Sequence, residues 1–322
     1  MDEVAFLQQN ADKWERFEQL LNTDEADPDR LADLYVELTD DLAYAQTFYP
    51  DSDTTRYLND LAGRVHQRVY QPRSETWHRL RTFWTHEIPA TLASTRTAQV
   101  FALTIFLLAA GVGTLSAAYD PGFVRLIFGD AYVNETLTAI QAGDPMAVYK
   151  QMHQVPMFLG IALNNIRVAF YAFAAGVLCS VGTGVVLVQN GIMIGAFHYL
   201  FYEHGLLGRS LLVVYIHGTL EISAIIVAGA AGFVMGNGLL FPGSYPRRTA
   251  FRRSAKKGLK MVMGLVPVFV AAAFLEGFVT RYTHMPMVAS LSIIGTSLLF
   301  VTGYFVVYPA RLRRASSRLS SD

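Results

Sequence analysis

Two residues able to do proton or metal chemistry, His217 and Glu221, stand four positions apart in VVYIHGTLEISAIIVAGAAGFVMG (Val213 to Gly236), a run with no other charge. On a helix this spacing puts the imidazole and the carboxylate on one face. Other polar residues break long apolar runs nearby. Asn164 and Asn165 precede Arg167 at the head of one run, and Glu276, followed by Arg281, closes another. Asn164, Asn165, Arg167, His217, Glu221, Glu276 and Arg281 therefore form the candidate intramembrane polar cluster. Three uses compete. In the structural one, Arg167 neutralises Glu221 or Glu276 through bidentate hydrogen bonds, with Asn165 and His217 completing the network. In the second, the cluster lines a vestibule for an ion, a proton or a small solute. In the third, His217 and Glu221 share a metal ion in a hydrolase. The third lacks an H-E-x-x-H motif, His198, His204 and His284 are scattered, and the single cysteine, Cys179, lies in an apolar run. No catalytic residue, metal ligand or cofactor is assigned on these grounds.

The elements that must position these residues are membrane spans. The 322-residue chain is 52% hydrophobic and 16% charged, where soluble domains have about 25% charged residues. Crossing the hydrocarbon core takes about 20 mostly apolar residues. The uncharged runs predict six spans, near 97–118, 166–188, 191–206, 214–240, 258–281 and 286–309. The break between the second and third is placed at Gln189-Asn190-Gly191, and the third is the shortest. Orientation follows from Lys and Arg near the span ends. PRRTAFRRSAKK (Pro246 to Lys257) carries six basic residues and no acid, and RLRRASSR (Arg311 to Arg318) carries four. Six spans put both on one side, with both termini cytoplasmic and a 120–163 loop outside. His217 and Glu221 then lie in the outer third of the fourth span, at the depth of Arg167 and Glu276.

Residues 1–73 read as a separate cytoplasmic helical bundle. Phe6, Trp14, Phe17 and Leu21 recur at helical spacing, as do Leu31, Leu34/Tyr35, Leu38 and Leu42 after the Asp27-Pro28 start signal, and a third segment ends at Pro72. Residues 74–96, with Trp77, Leu80, Phe83, Trp84 and Ile88 among basic neighbours, suit an amphipathic helix at the headgroup layer. Packing in the bundle is the alternative use of these aromatics. The spans occupy 97–310, and 311–322 form a basic cytoplasmic tail. The opening MDEVAFLQQN lacks the basic-then-apolar order of a signal peptide. The fold class is all-α: a polytopic helical membrane protein with about six transmembrane helices and an N-terminal cytoplasmic helical bundle.

Small residues mark the packing faces. Ala172, Gly176, Ser180 and Gly184 recur every four residues in the second predicted span, and Ala224, Ala228, Gly232 and Gly236 do so in the fourth. Such stripes let helix backbones approach in lipid, where no hydrophobic drive brings helices together. They could join helices within one chain or two copies in a homo-oligomer.

NNIRVAFYAFAAGVLCSVGTGVVLVQNGIMIGAF and IHGTLEISAIIVAGAAGFVMG resemble the stage II sporulation protein M family of bacterial membrane proteins. The matching positions are His217, Gly218 and Glu221, with Asn164, Asn165, Gly182 and Thr183. The helical prelude resembles the longer, non-sporulation branch of the family. The resemblance implies a multi-pass protein of the bacterial inner membrane that helps assemble cell-envelope machinery, and it carries over no catalytic residue. The first expectation is a non-enzymatic scaffold. The alternatives are a transporter or channel with an external-facing cavity at Arg167, His217, Glu221 and Glu276, or an intramembrane metallohydrolase. Expected partners are the lipid bilayer, other membrane or envelope proteins and a second copy of the chain, with no nucleic acid.

Overall fold

The computed structural model describes residues 2–21, 28–70, 76–145, 147, 153–282 and 285–319, and every regular element among them is helical. Asp27, Pro72 and the 71–73 end of the expected bundle lie outside the described residues, as do 146 and 148–152 of the long loop and the last three residues of the tail. Two compact units divide between Arg79 and Leu80.

The first unit holds α1 (Glu3–Leu21), α2 (Pro28–Phe48) and α3 (Asp53–Tyr70). Phe6, Trp14, Phe17 and Leu21, one face of α1, are all buried against Leu38, Ala45, Leu58, Leu61 and Val65. The buried indole needs a partner for its N–H, and Trp14 Nε1 donates to Asp41 Oδ2 at 2.8 Å. Ser52 starts α3 by accepting the Thr55 N–H at 3.1 Å, the role of an N-cap hydroxyl.

The division falls within α4 (Thr76–Thr82), which reaches α5 (Ile88–Ser94) through a π-helical turn, Phe83–Glu87. Six longer helices follow, each apolar and long enough to cross a membrane. They are α6 (Arg96–Tyr119), α9 (Gln154–Ala174, extended to Val177), α10 (Val181–Glu203), α11 (Leu207–Leu240), α12 (Arg247–Phe274, extended to Val279) and α13 (Met287–Val301, whose span extends to Arg314). The last continues through a π turn into α14 (Tyr308–Leu319). Short α7 (Phe123–Phe128) and α8 (Asp130–Gln141) lie between α6 and α9. The chain is a polytopic helical membrane protein.

Two predicted boundaries are corrected. The second and third spans part at 178–180, where Cys179 and Ser180 take φ of 51° and 70°, and not at Gln189-Asn190-Gly191. Asn190 stays helical because its Nδ2 donates to Val186 O at 2.8 Å. Gly191 is a contact residue, since a Cβ there would meet Phe106 O of α6. The long loop also ends earlier, because α9 is helical from Gln154. The aromatic segment before α6 packs in part into the bundle. Trp77 is 84% exposed, but Ile88 and Leu92 are each 1% exposed. Trp84 Nε1 donates to Gly264 O at 3.3 Å, and Tyr304 and Tyr308 donate to the carbonyls of Trp84 and Thr85.

The core of the second unit is built on α11, whose Ala224, Ala228, Ala230 and Ala231 are fully buried. α9 and α11 run parallel. A Cβ on Gly176 would overlap Gly232 O, one on Gly232 would overlap Ala172 O, and one on Gly236 would overlap the Ser180 hydroxyl. Gly184 leaves this stripe: it belongs to α10, and a Cβ there would meet nothing within 4 Å. Thr183 closes the α9–α10 hairpin, its buried hydroxyl donating to Ala172 O at 2.7 Å. Thr183→Val keeps the shape and removes the bond. We expect a loss of about 1 kcal/mol, seen as a lower midpoint of thermal unfolding in detergent.

Candidate functional site

His217 and Glu221 sit on the face of α11 that packs against α9 and the end of α12. At 1.5 Å per residue, Glu221 lies about 21 Å along α11 from Leu207. Glu276 comes from a π-helical turn, Leu275–Val279, in which Thr280 N bonds back to Leu275 O at 2.8 Å. Such turns widen a helix and recur at functional sites. Here the turn presents Glu276 and Thr280 together to α11. Gly277 lets α9 close over it, because a Cβ there would sit 3.3 Å from Phe158 Cα.

Three potential donor atoms converge. One from each of His217, Glu221 and Glu276 lies within 4.8 Å of the others, and His217 Nε2 is 3.7 Å from Glu276 Oε2. His217 is 5% exposed. The far side of its ring is fixed by Thr280, with Nδ1 and Thr280 Oγ1 3.1 Å apart. Thr280 Oγ1 donates its one proton to Leu275 O at 3.1 Å. It therefore accepts from Nδ1–H, and the Nε2 lone pair is left facing Glu276. A ring fixed through one nitrogen with the other aimed at a carboxylate is how metal-binding histidines are held. A zinc ion with donors at about 2.1 Å needs them about 3.4 Å apart, so a modest closure of the three side chains would complete its contacts.

Of the predicted cluster, the structure brings together Asn165, His217, Glu221 and Glu276. Asn165 is 6% exposed and adjoins Glu221. Arg167 is the main correction. It does not neutralise Glu221 or Glu276. It faces outward, its Nε donating to Tyr171 Oη at 3.0 Å and its guanidinium lying 5.2 Å from that ring's centre. The reason is helical geometry: two positions turn about 200°, so with Asn165 turned inward Arg167 must point away. Asn164 is likewise exposed, and Arg281 is half-buried in the turn beyond Thr280. His198 stacks on Tyr215, with centroids 5.6 Å apart, and stays out of the cluster.

Reasoning from sequence did not find Thr280, whose only signal was a hydroxyl four positions after Glu276. It also missed a cavity of about 130 Å³ that reaches His217 and Glu221. Phe128 of α7, Met193, Ile194 and Phe197 of α10, and Val214 and Ile222 of α11 wall it. This is room for several waters. Three ligands and an open position also suit a catalytic metal, but the remaining wall is apolar and offers no second acid or base to a substrate.

Thr280→Val should keep the packing and release the ring. We expect metal affinity to fall about 10- to 100-fold with the fold intact, measured by zinc titration and circular dichroism.

Residues 102–281, more than half of the chain, match the family model for Stage II sporulation protein M. Residues 4–71 match a domain of unknown function, DUF8413. No curated protein and no solved structure matches the chain.

Proposed function

The chain belongs to the Stage II sporulation protein M family, and from that premise we propose that it handles a cation within the bilayer. The observation that carries the reading is the convergence of two carboxylates and an imidazole nitrogen, with Arg167 turned away from them to Tyr171. Ionised groups taken out of water lose several kcal/mol each unless paired, and such residues in membranes serve ion or proton pathways. A divalent transition metal ion cancels both negative charges and suits the imidazole. Two protons are the other charge-matched occupant. The cavity beside α7 gives access from one side. The basic loop 246–257 and the 311–318 segment support placing both termini in the cytoplasm of a bacterium, so that access is from outside.

The test is zinc binding by the purified protein after dialysis against chelator, then metal and proton flux in liposomes. Binding near one ion per chain, lost in Glu221→Gln, supports the reading. No bound metal together with no flux at any pH overturns it.

The scaffold reading keeps one support, the N-terminal helical unit with a core of its own, which ion handling does not require. It becomes the better reading if Glu221→Gln leaves binding and flux unchanged but lowers recovery of folded protein.

A further inference from the structure

A second concavity, independent of the cation site, opens where α5 meets α6. It encloses about 700 Å³ between that elbow, the end of α11 and the first half of α12. Four cationic side chains line it, Arg253, Lys256, Lys257 and Lys260, and no acidic residue does. Lys260 is paired with Glu87, and Arg253 lies 4.2 Å from the centre of the Tyr245 ring. Lys256 and Lys257 are exposed and make no ion pair among the described residues. Thr95, Thr97 and Ala98 also line the basin. They begin α6, whose first turn has no side-chain cap, so its N–H groups add positive potential.

We infer that this basin holds the phosphate headgroup of an anionic phospholipid. The depth favours a lipid over a soluble anion. Lys260 is the last charge before the apolar stretch of α12, and Arg96 the last before that of α6. The basin therefore sits at the edge of the hydrocarbon layer. Phe241, 75% exposed, and Tyr245, 49% exposed, line the same rim, as aromatic residues do at that level. Basic pockets between membrane helices are suited to such headgroups.

The experiment titrates the purified full-length protein with phosphatidylglycerol, phosphatidylcholine and inorganic phosphate, reading retained lipid by native mass spectrometry. Each lysine contributes about fivefold to binding an anionic headgroup. Lys256→Gln/Lys257→Gln should thus weaken phosphatidylglycerol about 25-fold and leave phosphatidylcholine unchanged. Lys256→Arg/Lys257→Arg, which keeps the charge, should bind as wild type. The single Gln variants serve should the double variant fold poorly. Equal phosphatidylglycerol retention in wild type and the Gln variants overturns the inference. So does displacement of the lipid by inorganic phosphate at comparable concentration, which would make the basin a site for a soluble anion. Zinc binding at Glu221 is read separately and stands or falls without this result.

Discussion

Glu221→Gln and Glu276→Gln should each weaken zinc binding by about 100-fold or more, and each should make the metal-free protein more stable. The first effect follows from removing a direct ligand, since losing only an outer-shell partner typically costs about 10- to 100-fold. The second has the opposite sign for the same reason. Without a cation, two carboxylates and an imidazole lone pair crowd within 4.8 Å, with only the small cavity beside His217 and Glu221 to hold screening water. A neutral amide in place of one carboxylate relieves that repulsion and keeps the shape. Zinc at about 100 times its dissociation constant should stabilise the wild type by about 2.7 kcal/mol and the variants by little. Thermal unfolding with and without zinc, in wild type and both variants, gives the comparison. If zinc raises all three midpoints alike, the ion binds elsewhere and the cluster is not its site.

Gly232→Ala should be among the damaging one-methyl changes in the bundle, costing about 1–3 kcal/mol. The added carbon would overlap the Ala172 carbonyl and the Thr183 hydroxyl. The carbonyl is backbone, so α9 and α11 can accept the methyl only by moving apart. That also pulls Asn165 away from Glu221, so zinc affinity should fall although no ligand has changed. Gly295→Ala is the matched control. Nothing lies within 4 Å of its added Cβ, and the better helix former should leave stability unchanged or raise it by up to about 1 kcal/mol. Unfolding in detergent measures both. Equal effects at the two positions would mean that the α9–α11 contact is not what holds the bundle.

Much of this was legible in the chain. Uncharged runs of span length fixed the number of crossings, because a backbone in lipid must satisfy its hydrogen bonds within a helix. The i, i+4 spacing of His217 and Glu221 set them on one face. Alanine and glycine at every fourth position of α11 marked its packing face, and the structure presses Gly232 and Gly236 against α9. The outward turn of Arg167 was legible too, once Asn165 faces inward, since the angle between them is set by the helix alone. It was missed because opposite charges at similar depth were assumed to meet.

What only the tertiary structure decided depends on atoms far apart in sequence. The break between α9 and α10 falls at Cys179 and Ser180, residues with no turn preference as strong as that of Asn190-Gly191. Gly191 is taken up by contact with Phe106 of α6, a demand no local signal announces. The π turn that swings Glu276 and Thr280 toward α11 likewise leaves no mark in composition. Sequence alone determined that acids and an imidazole would be buried in a membrane protein. Which of them meet, and that Arg167 does not join them, was settled by the rotation of each helix about its axis, which packing against its neighbours sets.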